Sequence, residues 1–512
     1  MKIGLYDRWL STLGGGERMA LALAQCLAAD HTVEIIAPHA VDLDAAAAKL
    51  NLDLRRVRLR CVPELPADDD YAPLTADYDL FIAASQTTFI PSRAKHAWLL
   101  TFFPFPIKLS APARLRRHVG LMLRRQLRLP SYARGFYGAE PDGNHLIRWT
   151  DGYGILRLPI HTGSITVRLS IYAAARTEVR VNGEVRHTIE PAPDRVFVPI
   201  TIEVAARDHA ATIELISAGH DQPIGLRAAR SVGAAIRDVS IDHWRYRLYQ
   251  QVFERRNQQW GVRLLNIPST QGATAVRSYS TVIGISRFTQ TWIRRYWQRE
   301  SELLYPPVEV EAFQPGQKQN IILTVGRLFA GGHNKKHRAM IETFKHLVDN
   351  GLRDWVFHIA GSVGDAPVDQ AYFKQVQAAT RGYPIVIHAN LAAAELRQLY
   401  GAAKIYWHAS GYGENEQRDP IKFEHFGITT VEAMAAGAVP IVIGTAGQLE
   451  IVEHEVNGLH WHTLPELAAH TQRVIADAAL WARLSSQAID RSRTFNRAAF
   501  EQRVHDLLSR VI

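Results

Sequence analysis

The sequence predicts an α/β protein of two Rossmann-like domains, with an antiparallel β-sandwich inserted in the first. Three observations carry this. Short apolar strands alternate with Ala- and Leu-rich helices in both halves of the chain. Between about 144 and 241 the hydrophobic period falls to two. At 512 residues the chain exceeds what one hydrophobic core usually supports.

The elements follow in order. Lys2–Tyr6 is a short apolar strand, followed by a glycine run and a helix from Glu17 to Ala28. Val33–Ala37, Leu80–Ala84 and Ala97–Thr101 are further strands. In the insertion, Ile165, Val167, Leu169 and Ile171 alternate with polar residues, and Asn182-Gly183 between two strand-like runs signals a hairpin. The α/β texture resumes with a helix at Tyr246–Arg256, a strand at Thr281–Ser286 and a helix at Arg287–Glu300. Strands are then expected at Asn320–Val325, Trp355–Ala360, Ile385–Ala389, Lys404–Trp407 and Val439–Ile443, before a mostly helical end from Leu464. The implied domains are 1–135 and 244–312 for the first Rossmann-like domain, 140–243 for the insertion and 316–495 for the second. A final helix, 496–512, returns to the first domain.

Composition is globular, with 47% hydrophobic and 21% charged residues. Cys26 and Cys61 cannot build a disulfide framework or a zinc site alone, and read as thiols in a reducing compartment. No signal-peptide pattern opens the chain and no apolar run reaches membrane-spanning length, so a cytoplasmic location is expected. The net charge of +9 favours phosphate-bearing partners without choosing among them. The stretch 114–134 is arginine-rich and free of acids, with Leu115, Val119, Leu123 and Leu127 every fourth residue. It fits equally a basic helix lying peripherally on an anionic membrane, at the inner face of the plasma membrane, and an arginine-rich face over a domain core.

Three segments carry chemistry. Gly14-Gly15-Gly16 lies between the first strand and the first helix, where missing Cβ atoms and free N–H groups suit a phosphate; a tight turn without ligand fits as well. The spacing is not GxGxxG and no acid ends the second strand, which disfavours a nicotinamide cofactor. Arg327 ends the first strand of the second half, and Lys335 follows one loop later; both can reach a diphosphate. Lys336 reads as part of a solvated basic loop. The sharpest signal is Glu424-His425-Phe426-Gly427-Ile428-Thr429-Thr430-Val431-Glu432, which runs into an Ala-rich helix closed by Gly437. The helix start near Ile428 and Thr429 suits a diphosphate, Glu432 can accept from ribose hydroxyls, and Glu424 faces a sugar.

These residues resemble glycosyltransferase family 4, the retaining transferases of the GT-B fold. The resemblance rests on the spacing of Glu424 and Glu432, on Val325-Gly326-Arg327 and on Lys335, with support from the glycine loop, from 446–452 and from Asn457-Gly458. It covers 1 to about 125 loosely and 245–495 well, and Glu424–Gly437 is close to the branch of lipid-linked mannosyltransferases. It implies that a nucleotide-sugar donor sits between the two domains, with neither metal nor other cofactor. Arg327 and Lys335 would hold the diphosphate, Gly15 and Gly16 would close over it, and Phe426, Gly427, Ile428 and Thr429 would surround sugar and phosphates. Glu432 would hold the ribose and Glu424 the sugar hydroxyls near the reacting carbon. Two departures stand out. Phe102 occupies the place of a family histidine, and the stretch 411–422 before Glu424 is longer than usual.

The resulting expectation is transfer of a hexose, of mannose or glucose type, to a hydroxyl of a glycan or lipid-linked acceptor, as in cell-surface polysaccharide or glycoconjugate synthesis, with no nucleic-acid partner. The competing expectation is a non-catalytic carbohydrate-binding protein using the sandwich, with Trp149, Tyr153, Tyr172 and Trp244 as stacking candidates.

Overall fold

A computed structural model describes residues 1–63, 68–84, 88–107, 115, 119, 131–137, 140–142, 145–158, 163–192, 195–205, 211–224, 228–242, 272–331, 334–364 and 367–511. They form two compact units: Met1–Leu100 with Phe105–Val282, and Thr101–Pro104 with Ile283–Ile512.

In the first unit the strand Lys2–Tyr6 pairs in parallel with Thr32–Ala37 and with Leu80–Ala83. Val57–Cys61 and His96–Thr101 extend the sheet on either side. Helical crossovers such as Gly15–Leu27, whose apolar face is buried, allow the parallel pairing.

The insertion is antiparallel, as its alternation predicts. Asn182 and Gly183 take φ of 52° and 84° and join Thr177–Val181 to Glu184–Ile189 as a hairpin. Among the described residues nine strands join in one sheet, and His220–Ile224 pairs with Ala228–Val232 in a small second one. The 14-residue strand His145–Leu158 pairs through its second half with Ala211–Ser217 and through its first half with Ala234–Ile241, so both halves share it. Between the two paired halves Gly152 takes φ 111°, a conformation that favours glycine. One apolar core, including Leu156, Val167, Leu169, Val179, Ile202 and Leu215, draws on strands of both halves.

The arginine-rich stretch 114–134 lies largely outside the described residues. Leu115 and Val119 are exposed, and residues 131–134 do not continue a helix: they open the strand Ser131–Phe136, which pairs with His145–Leu158. The helix expected at Tyr246–Arg256 is also outside the described residues. Among the described residues no helix is long and apolar enough to cross a membrane.

The second unit holds a six-stranded parallel sheet. Its order is Ile385–Ala389, Val356–Gly361, Gln319–Val325, Ala403–His408, Val439–Ile443, Leu459–Trp461. Its fully buried aliphatic and aromatic side chains, among them Ile322, Phe357, Trp407 and Ile441, face helices on both sides. The helices Leu464–Ala476, Ala478–Ser492 and Arg497–Leu508 end the chain. Arg503 of the last one holds Glu302 at 2.6 Å and the Leu303 carbonyl at 3.0 Å, all within this unit.

Candidate functional site

The strand order of the second unit reverses between Gln319–Val325 and Ala403–His408. Ligands of open α/β sheets bind outside the carboxyl ends of strands at such a reversal. Arg327 follows the first of these strands and His408 ends the second.

The loop after Arg327 is ordered by Asn334. Its amide donates to the Phe329 carbonyl at 2.7 Å, and its side-chain oxygen accepts from Lys336 N at 2.7 Å. The stem of Lys335 lies over Gly326, where a Cβ would stand 2.6 Å from Lys335 Cγ. This directs Lys335 Nζ to Glu424, where it donates to Oε2. His408 Nε2 stands 2.9 Å from the same oxygen. The Lys335 and Glu424 side chains are 18% and 16% exposed.

Burial pushes the Glu424 carboxyl up, but Lys335 and His408 outweigh burial and hold it well below the usual carboxylate range. Burial pushes the His408 imidazole down against the pull of Glu424, so it is neutral near pH 7. An ionised carboxylate only accepts, which assigns the imidazole proton to Nε2. His408 Nδ1 has no hydrogen-bond partner among the described residues.

Glu432 sits inside the helix Ile428–Ala435 and is 8% exposed. Tyr400 Oη donates to it at 2.9 Å. Tyr406 Oη donates to Thr429 Oγ1 at 2.8 Å, tying the helix start to the neighbouring strand. Gly427 precedes the helix at φ 123°, and a Cβ there would run into Gln448 Nε2. The helix ladder leaves the N–H groups of Ile428 and Thr429 outside it. The stretch 446–452 clamps this turn: Gly447 N donates to the Glu424 carbonyl at 3.0 Å, and fully buried Gln448 donates to the Phe426 carbonyl at 3.3 Å. Phe426 is buried against Tyr305 and Phe495.

The structure therefore brings Lys335 and Glu424 into direct contact and places Glu432 on its own tyrosine. Arg327 joins neither: it is exposed, with its guanidinium 4.6 Å from the Phe329 ring centre and no ion pair among the described residues. Lys336 is not a solvated loop residue. Its Nζ donates to Glu414 at 2.6 Å, and Lys422 holds the other oxygen of that carboxylate at 2.9 Å, which pins the long stretch 411–422. Gly15 and Gly16 open the first helix of the first unit, where Glu17 accepts from Gly14 N at 2.8 Å. At the departure from the family pattern, Phe102 is half-buried and its carbonyl accepts from Thr289 at 3.2 Å. Phe103 is buried and stacks on His425 with ring centres 4.3 Å apart.

Sequence reasoning missed His408, Tyr400 and Tyr406, and gave no individual role to Glu414 and Gln448 within the stretches 411–422 and 446–452 that it singled out. The available signal for His408 was a single histidine ending an otherwise apolar strand. Among the described residues, no group of three or more His, Cys, Asp and Glu could hold a metal.

Residues 308–491 match the family model for glycosyl transferases group 1. Over that stretch the chain is similar to glycosyl transferases of group 1. Arg327, Lys335, Lys336, His408, Glu414, Lys422, Glu424 and Glu432 all lie within the matched stretch. A mannosyltransferase of Dictyostelium discoideum, GDP-Man:Man(3)GlcNAc(2)-PP-Dol alpha-1,2-mannosyltransferase, is 25% identical over 44% of this chain and 46% of its own length. An uncharacterized glycosyltransferase of Methanocaldococcus jannaschii is 29% identical over 28% of this chain and 31% of its own length. The match thus spans less than half the length of each of these relatives. A crystal structure of Anabaena HepE in complex with UDP is 14% identical, with a TM-score of 0.54 over 99% of this chain and 100% of that one. At that identity the likeness shows the fold, which is the GT-B fold expected from the sequence.

The stacking candidates of the insertion do not form an open platform. Trp149 is 3% exposed and meets Tyr172 edge-on at 5.7 Å, Tyr153 donates to Glu214 at 3.4 Å, and Trp244 lies outside the described residues.

Proposed function

We propose that the chain is a retaining hexosyltransferase of family 4 that uses a nucleoside-diphosphate sugar and needs no metal. The observation that carries the reading is the Lys335–Glu424–His408 cluster at the sheet reversal, beside the exposed start of the helix Ile428–Ala435. A diphosphate is a dianion that a lysine and a helix start can receive together. Lys335 and the mobile-length side chain of Arg327 neutralise charge developing on the departing nucleotide, and the N–H groups of Ile428 and Thr429 cradle it. Phe426 and Gly427 shape the turn around sugar and phosphates. Glu432 accepts from the ribose and Glu424 from hydroxyls of the sugar. Gly15 and Gly16 supply close backbone approach to a phosphate.

In the proposed step, the acceptor oxygen attacks the anomeric carbon from the side of the leaving group. The bond between that carbon and the diphosphate oxygen breaks, and the acceptor proton passes to the departing diphosphate. Catalysis then comes from positioning and electrostatics. The acceptor is a hydroxyl of a glycan or lipid-linked sugar. The Dictyostelium relative is named for GDP-mannose, and HepE has been crystallised with UDP-glucose, so both bases belong in the test.

The test is a thermal-shift screen of UDP, GDP, UDP-glucose and GDP-mannose, because a ligand of the folded state raises the melting temperature. It is followed by nucleoside-diphosphate release and by NMR of the product's anomeric configuration. Binding of one base family with retained configuration is expected. No stabilisation by any of the four compounds, or an inverted product, defeats the reading.

A further inference from the structure

On that reading, we propose that His408 is a positioning residue that keeps Glu424 aimed at the donor sugar while Lys335 leaves it for the diphosphate. The two donors meet on one atom, Glu424 Oε2, with His408 Nε2 at 2.9 Å and Lys335 Nζ on the same oxygen. They differ in what they can do next. The Lys335 ammonium is a point charge on a flexible stem, laid over Gly326 at the end of the first strand. It can turn from one anion to another. His408 ends a buried strand, is 2% exposed and has a rigid ring, so it stays.

A diphosphate entering at the start of Ile428–Ala435 competes with Glu424 for Lys335. When Lys335 turns away, Glu424 keeps one donor of fixed position, and its other oxygen remains directed at sugar hydroxyls. Without His408 the carboxylate would have no donor among these two residues and would rotate or hydrate. A nucleoside diphosphate without sugar would feel little of this, because water then reaches Glu424. A nucleotide sugar would feel it fully, because the sugar excludes that water.

The experiment compares His408→Met with His408→Gln. Methionine fills the space without an N–H, and glutamine offers an amide N–H at similar reach. Each full-length variant is titrated with UDP, GDP, UDP-glucose and GDP-mannose, and turnover is measured with the conjugate that the wild type uses. His408→Met is expected to bind the nucleoside diphosphate within about twofold of wild type. Its affinity for the sugar conjugate and its kcat should fall about tenfold to hundredfold, the loss expected for a hydrogen bond to a charged group. His408→Gln should recover most of both. Equal weakening of nucleoside diphosphate and conjugate, or a Met variant as good as the Gln variant, overturns the inference and leaves the transferase reading standing. A wild type that binds none of the four compounds removes both.

Discussion

Lys335→Ala separates the structural from the catalytic part of the site. Among the described residues Lys335 is the cationic side chain on Glu424, while burial pushes the His408 imidazole towards its neutral form. Breaking a buried ion pair from one side costs about 3–5 kcal/mol. Here the partners are 18% and 16% exposed and His408 remains on the carboxylate, so about 2–3 kcal/mol is expected. For a unit of this size that lowers the melting temperature by about 4–12 °C. The catalytic loss has a different origin, one cation fewer on the departing diphosphate, and should reach about 10²–10³ in kcat. Adding Glu424→Gln to Lys335→Ala tests the division. The neutral amide leaves no orphaned charge, so stability should return while turnover stays low. The assay is urea unfolding beside initial rates of nucleoside-diphosphate release at saturating donor. Stability that the double variant does not restore, or a single variant within about threefold of wild-type turnover, refutes the reasoning.

Three further outcomes follow from neighbouring groups. Tyr400→Phe removes the hydroxyl that donates at 2.9 Å to the buried Glu432 carboxylate, and should destabilise the second unit by about 1–3 kcal/mol in denaturant melts. Gly427→Ala forces a Cβ into φ 123° against Gln448, which should cost about 1–3 kcal/mol and displace the helix start. Calorimetric titration with UDP and GDP should then show about tenfold weaker binding, and unchanged affinity would refute the role of that helix start. Asp7 is 1% exposed at the end of the first strand, and burial, then Glu17, push its carboxyl from 3.8 up to about 7. The folded form holds a proton that the unfolded chain has released. Its contribution is therefore fully present below about pH 4 and is lost as pH rises through about 7, some ~4 kcal/mol in all. Asp7→Asn should flatten the denaturant midpoint of the first unit between pH 5 and pH 8, and an unchanged slope would exclude Asp7 as its source.

What was legible in the sequence was what local pattern determines. Val439–Ile443 forms with the expected limits because a buried parallel strand is a continuous apolar run, and Ile385–Ala389 does so at the sheet edge, where its β-branched residues are only partly covered. Asn182-Gly183 specifies its hairpin because both residues must take positive φ. Partner choice was not legible. Alternation along His145–Leu158 says which side chains face the core, but not that one strand serves both halves of the insertion. Leu459–Trp461 is too short for a period to be read. Lys336 looked solvated because its partner Glu414 lies 78 residues away, and Glu432 meets Tyr400 at a separation of 32.

The Lys335–Glu424 contact shows why chemistry-bearing residues could be found while their state could not. Resemblance located both residues, and the sequence reading aimed each at a different part of a ligand. In the structure neither is left partly buried and uncompensated, and each is the other's counter-charge. Arg327 escapes this pairing because its guanidinium stays in water over Phe329 and carries no desolvation cost that demands a partner. Burial, and not residue type, thus divides the two cations of the motif into one that is pre-paired and one without an ion pair among the described residues. Donor binding should accordingly depend on ionic strength mainly through Arg327. Raising salt from 0.05 to 0.5 M in the UDP and GDP titrations should weaken binding by about the same factor in wild type and Lys335→Ala, and much less in Arg327→Ala. Equal salt dependence in the two single variants would refute the division.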